Sequence, residues 1–109
     1  MENKIKQSLS KGKLSIGGAV QTACVDNVEL LARNGYDFVW IDCEHGLIDF
    51  SQCIQLIRAT QAFGMTSLVR LRSTTDFGSL QILLDAGMGG LIAQEIESAE
   101  DAKALADQM

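Results

Sequence analysis

The chain is expected to fold as an α/β protein built from parallel strand–helix repeats. Three observations predict this. Helical patterns alternate with short apolar runs along the whole length. A glycine stands at three of the switches, with Gly35 seven positions before Asp42, Gly64 six before Arg70 and Gly87 seven before Gln94. The run Phe38-Val39-Trp40-Ile41 is continuously apolar, as in a strand covered on both faces. Strand starts at positions 13, 38, 67 and 91 are 25, 29 and 24 residues apart, which suits βα units with right-handed crossovers.

Each element has its own signal. Asn3 to Lys11 reads as a lead-in helix with Ile5 and Leu9 on one face. Lys13 to Val20 reads as the first strand. Asp26 is expected to cap a helix to Asn34 carrying Val28, Leu31 and Ala32, closed by Gly35 in the left-handed conformation. The second strand follows at Phe38 to Ile41, with Trp40 expected in the core against the helices. Phe50 to Phe63 is the clearest helix, with Cys53, Leu56 and Ile57 on one face, Ser51 as its expected cap and Gly64 after it. Ser67-Leu68-Val69 is the third strand. Asp76 is expected to cap a helix through Ala86, and Leu91-Ile92-Ala93 is the fourth strand. Ser98-Ala99-Glu100-Asp101 opens the last helix as a capping box with Asp in the acidic position.

Composition narrows the function. The 109 residues are about one domain's worth of chain. A net charge of −5 would repel a phosphate polyanion or an anionic membrane surface, so neither is an expected partner. No apolar run approaches the roughly 18 residues of a membrane span, and no signal-peptide core is present; a cytoplasmic protein is expected. Cys24, Cys43 and Cys53 have no CxxC spacing, so they are expected as small buried hydrophobes. Met65 and Met88 are expected to fill the core. Neither GxGxxG nor GxxxxGK[ST] occurs.

Polarity concentrates where the chemistry of parallel α/β proteins sits, at the carboxyl ends of the strands. Asp42, Glu44 and His45 follow the second strand, Arg70 and Arg72 the third, Gln94 and Glu95 the fourth. Converging on one rim, these groups suit a small carboxylate substrate, because Arg binds a carboxylate bidentately and His moves a proton near neutral pH. On residue type alone, His45 is either structural or catalytic. Arg70 is either a substrate ligand, a solvated charge or a partner for Asp42. Gln94 could serve only to hold a loop.

Several segments resemble the class II, metal-dependent pyruvate aldolases. They are Ile16-Gly17, Glu29-Leu30-Leu31-Ala32, Gly35-Tyr36-Asp37, Ile41-Asp42-Cys43-Glu44-His45-Gly46, Val69-Arg70, Leu83-Leu84-Asp85-Ala86-Gly87 and Glu97-Ser98-Ala99-Glu100-Asp101-Ala102. The I-D-x-E-H segment is the most specific. The resemblance implies the N-terminal half of a (β/α)₈ barrel, about four βα units, with residues 1–109 a single truncated domain. It implies reversible cleavage of a 4-hydroxy-2-oxoacid to pyruvate and an aldehyde, assisted by Mg²⁺ or Mn²⁺ acting as a Lewis acid. It implies His45 as the catalytic base, Arg70 as the arginine on the substrate oxygen and Asp85 as the aspartate that makes the histidine more basic. Asp42 and Glu44 then orient His45 or Arg70. Asp85 falls near the end of a helix, on the rim opposite His45 of its own chain. The histidine it serves is therefore expected on a neighbouring subunit, in a homo-oligomer. The metal's acidic ligands are expected beyond residue 109, so these residues are expected to be inactive alone. Two alternatives are a citrate-lyase-like or malyl-CoA-lyase-like enzyme and a non-catalytic half-barrel that binds a carboxylate or a partner.

Overall fold

A computed structural model of the chain describes residues 2–109. Its elements in order are α1 (Lys4–Ser10), β1 (Gly17–Val20), α2 (Val25–Arg33), β2 (Phe38–Asp42), α3 (Phe50–Ala62), β3 (Thr66–Arg70), α4 (Phe77–Asp85), β4 (Gly90–Ile92) and α5 (Ala99–Ala106). The four strands form one sheet in sequential order β1-β2-β3-β4, every pair parallel. Register runs Gly17 opposite Phe38, Asp42 opposite Arg70 and Arg70 opposite Ile92. This is the α/β repeat that the sequence predicts. No helix among the described residues is long and apolar enough to cross a membrane.

The glycine punctuation works through backbone conformation. Gly35, Gly64 and Gly87 take φ of 79°, 76° and 96°, a region that favours residues without a Cβ. Each lets the chain leave a helix and turn directly into the next strand.

The core lies between one face of the sheet and the helices. Val20, Val39, Ile41 and Val69 meet Val28 of α2, Cys53, Leu56 and Ile57 of α3, and Leu80 and Leu83 of α4. Met65 and Met88 are buried with them. Trp40 does not join this layer. Its neighbours Val39 and Ile41 point at the helices, so the period of two turns Trp40 to the opposite face, where it is half-buried.

Several boundaries differ from expectation for local reasons. Lys13 to Ile16 are not strand, because β2 starts at Phe38 and β1 residues before Gly17 have no ladder partner; Leu14 is 84% exposed. The face expected of α1 is only partly buried, since Leu9 is exposed. Asn3 caps that helix, and the Lys4 backbone N–H donates to Thr66 Oγ1. The N-cap of α2 is Cys24, with Asp26 in the first turn rather than at the cap, where its charge still suits the helix dipole. The cap of α3 is Asp49, not Ser51: Asp49 Oδ1 accepts from Gln52 N–H at 2.8 Å, and Gln52 Oε1 accepts from Asp49 N–H at 2.9 Å. Asp76 does cap α4. Ser98 caps α5, but Asp101 returns its bond to the Glu97 N–H instead of to Ser98. β4 lies one residue earlier than expected. Cys43 and Cys53 are buried, whereas Cys24 is only half-buried.

Candidate active site

The register of β2 against β3 makes the first contact of the site. Asp42 and Arg70 are cross-strand partners at the carboxyl ends of the two central strands. Their side chains lie on the face opposite the helices and meet as a fork. Arg70 Nε donates to Asp42 Oδ1 at 3.1 Å and Nη2 to Oδ2 at 2.6 Å. Such paired, charge-assisted bonds fix orientation as well as adding energy. The guanidinium carbon lies 5.1 Å from the centre of the Trp40 ring, two positions back along β2.

Asp42 is the hub. It is only 2% exposed, so its charge needs partners. Besides Arg70, Oδ1 accepts the backbone N–H groups of Glu44 and His45 at 3.0 and 3.1 Å, and Oδ2 accepts Gln21 Nε2 at 3.2 Å. The bonds from Glu44 and His45 fold the loop after β2 around the carboxylate, as Asp side chains do in Asx-type turns. The guanidinium of Arg70 does most to hold the Asp42 carboxyl far below the usual carboxylate range, against the opposing effect of burial. The same contact raises Arg70. Gly46 completes the turn. A Cβ there would overlap the Asp42 carbonyl oxygen, so the loop can close only on glycine.

The loop so held presents Glu44 and His45. Glu44 Oε1 lies 2.5 Å from His45 Nε2, and Glu44 Oε2 lies 3.8 Å from Arg70 Nε. Glu44 thus bridges the imidazole and the guanidinium. Its Oε2 is buried without a hydrogen-bond partner. The His45 side chain is 68% exposed while that of Arg70 is 22% exposed: an accessible imidazole stands beside a sheltered cation.

Other rim residues have structural work. Arg72 Nε donates to the Cys43 carbonyl at 2.9 Å. Gln94 Nε2 donates to the carbonyls of Leu71 and Arg72 at 2.8 and 2.6 Å, holding a loop as one of the sequence alternatives has it. Glu95 is exposed and has φ of 53°. Asp85 is the last residue of α4 and is exposed. Because α4 leads into the start of β4, Asp85 sits at the opposite end of the sheet from His45. Gln21 was not among the residues singled out, although it follows β1 directly. The rule that selects polar residues after the other strands applies to it equally.

The arrangement can bind an anionic oxygen and exchange a proton. Nε and Nη2 of Arg70 donate to Asp42, which leaves Nη1 for a ligand oxygen. The set does not by itself fit a divalent cation. Among the described residues no group of three or more His, Cys, Asp or Glu side chains could hold a metal ion, and Asp42 is spent on Arg70, Gln21 and two backbone N–H groups.

These polar side chains stand at the carboxyl ends of parallel strands, the position at which barrel enzymes place their active sites. Comparison with known proteins narrows the reading. The chain is 33% identical over 107 residues to the hydroxypyruvate/pyruvate aldolase of Rhizorhabdus wittichii, covering 98% of this chain and 42% of that protein. It is 31% identical over 103 residues to the 4-hydroxy-2-oxovalerate aldolase of Novosphingobium aromaticivorans, covering 94% and 39%. Its fold matches the crystal structure of an HpcH/HpaI aldolase from Desulfitobacterium hafniense with a TM-score of 0.82 at 30% identity, covering 93% of this chain and 39% of that one. No family model matches. The relatives of this chain thus include proteins named as pyruvate-type aldolases, its structural neighbours include an HpcH/HpaI aldolase, and it spans about 40% of their length.

Proposed function

We propose that these residues form four βα units of a single aldolase-type barrel domain, and that they supply part of the site that cleaves a 4-hydroxy-2-oxoacid to pyruvate and an aldehyde. The observation that carries this reading is the Asp42–Arg70 fork beside the Glu44–His45 pair at the strand ends. It is supported by relatives named as aldolases. Arg70 binds a substrate oxygen through Nη1 and stabilises the charge that develops there. His45 takes the proton of the hydroxyl as the carbon–carbon bond breaks. Asp42 and Glu44 are positioning residues that hold the guanidinium and the imidazole. Asp85 supports a histidine of a neighbouring copy in a homo-oligomer. The cation of this reading, Mg²⁺ or Mn²⁺, takes its acidic ligands from outside these 109 residues. The substrate is a small 2-oxoacid handled in the cytoplasm, with neither nucleic acid nor membrane as partner.

The test joins residues 1–109 to the remaining length of the Rhizorhabdus relative and assays pyruvate release from 4-hydroxy-2-oxoacids. The chimera should turn over, and His45→Ala should lower turnover by about 10²–10⁴-fold with an unchanged circular dichroism spectrum. Unchanged turnover in His45→Ala would make His45 structural. A folded chimera that cleaves acyl-CoA thioesters instead would replace the aldolase reading with a lyase of that type.

A further inference from the structure

We propose that Cys43 and Cys53 form a redox-active dithiol that closes to an intramolecular disulfide when the protein meets a peroxide. The pair stands behind the rim, on the helix side of the sheet, and takes no part in the Arg70–His45 chemistry. Both residues line a cleft of about 300 Å³ that runs from the ends of β2 and β3 to the first turns of α3 and α4, shared with Ile48, Leu71, Arg72 and Leu83. Each thiol is the largest influence on the titration of the other. The cleft gives a small oxidant a route to sulfurs that are otherwise buried, at 7% and 1% exposure.

The fold holds the two positions firmly. The Cys43 N–H donates to the Arg70 carbonyl at 2.9 Å, and the Cys43 carbonyl accepts Arg72 Nε. Cys53 sits in the first turns of α3, its N–H donating to the Asp49 carbonyl at 2.9 Å. The two backbone positions that carry the sulfurs are therefore set by the sheet and the helix cap. The third cysteine, Cys24, lies at the start of α2 and is outside this cleft.

The two sulfurs are not equivalent. The Cys53 thiol lowers Cys43 from the ordinary thiol value, with further help from Arg72, against burial and the charge of Asp42. The Cys43 thiol, together with burial, pushes Cys53 up. Cys43 is then the attacking sulfur and Cys53 the resolving one, since the thiolate is the nucleophile. In the first step the Cys43 sulfur attacks one oxygen of hydrogen peroxide. The O–O bond breaks, an S–O bond forms, and the other oxygen leaves as water after taking a proton. In the second step the Cys53 sulfur attacks the Cys43 sulfenic sulfur. The S–S bond forms, the S–O bond breaks, and the hydroxyl leaves as a second water with the Cys53 proton. The thiols lose two electrons in all and the peroxide gains them. The new bond ties the end of β2 to α3 across the loop that carries Glu44 and His45.

The experiment treats the full chain with graded hydrogen peroxide, then quenches and alkylates it with N-ethylmaleimide under denaturing conditions for mass mapping. The expected product is lighter by about 2 Da before alkylation, the two hydrogens of a disulfide. Cys43 and Cys53 are joined in it, Cys24 is still alkylated, and dithiothreitol reverses the change. Cys53→Ser should stop at the sulfenic acid on Cys43, trapped by dimedone. A chain unfolded in urea before treatment keeps the readout informative even if that variant misfolds, because it should lose the preference for the pair. Oxidation of the more accessible Cys24 while Cys43 and Cys53 remain alkylatable would overturn the proposal. So would a cross-linked dimer as the main product, or equal pairing in the folded and the unfolded chain.

Discussion

The two faces of the sheet follow opposite rules, although the same strands build both. Facing the helices, Val39, Ile41 and Val69 are fully buried, and nothing polar interrupts them until Ser67. Facing away, Phe38, Trp40 and Leu68 are only half-buried, and the strands end in Asp42 and Arg70. The helix side is stabilised by removal of apolar area from water. On the other side Asp42 is buried by its own partners, through Arg70, Gln21 and the loop after β2, rather than by a helix. One face is therefore a store of stability, and the other spends part of it to hold charge in place.

Truncations on each face should expose that difference most sharply. Ile41→Ala should cost about 3 kcal/mol, because a fully buried side chain leaves a cavity among packed neighbours. Leu68→Ala, half-buried on the other face, should cost about 1 kcal/mol. Urea unfolding of both variants measures the contrast, and equal losses would erase it.

The charged hub is the next place to press. Asp42→Asn keeps the shape of the side chain but removes the charge that Arg70 pairs with. With Arg70 partly solvated, the expected loss is about 2 kcal/mol at neutral pH. The pH dependence follows from the direction of the shift. The folded Asp42 carboxyl titrates below its ordinary value of 3.8. Its contribution is therefore complete above that value and is lost as the pH falls through the lower folded one. The native chain should lose stability between pH 4 and strong acid by more than Asp42→Asn does. Parallel acid-side melting curves for the two would show that the carboxylate contributes nothing. The smallest effect is expected at Trp40→Leu, which removes the aromatic face beneath Arg70 while keeping most of the apolar bulk. About 0.5–1 kcal/mol should be lost in thermal melts. A larger loss would mean that Trp40 is packed as tightly as the helix-side residues.

Much of the fold was legible because its signals are local. Gly35, Gly64 and Gly87 mark the helix ends through their own backbone conformation. Asp76 and Ser98 mark two helix starts through bonds spanning three residues. The cap of α3 was legible too, as Asp49 three residues before Gln52, but Ser51 masked it. The orientation of Trp40 was hidden, because a run that is apolar at every position shows no period of two. Of the site, the strand-end polar residues were readable as a set, while Gln21 escaped, and nothing in the residue order said that Asp42 would take up Arg70, Gln21 and two backbone N–H groups at once.

What the sequence determined by itself is the rhythm of elements and the inventory of polar side chains at the strand ends. Both depend on hydrophobic period, caps and glycine conformation within a few residues. What only the tertiary structure decided is which of those side chains meet. Asp42 and Arg70 are 28 residues apart and touch because parallel pairing sets β2 and β3 in one register. Cys43 and Cys53 share a cleft because α3 folds back over the end of β2. A one-residue slip would turn every strand side chain to the other face, so these contacts are properties of the assembled sheet rather than of any segment in it.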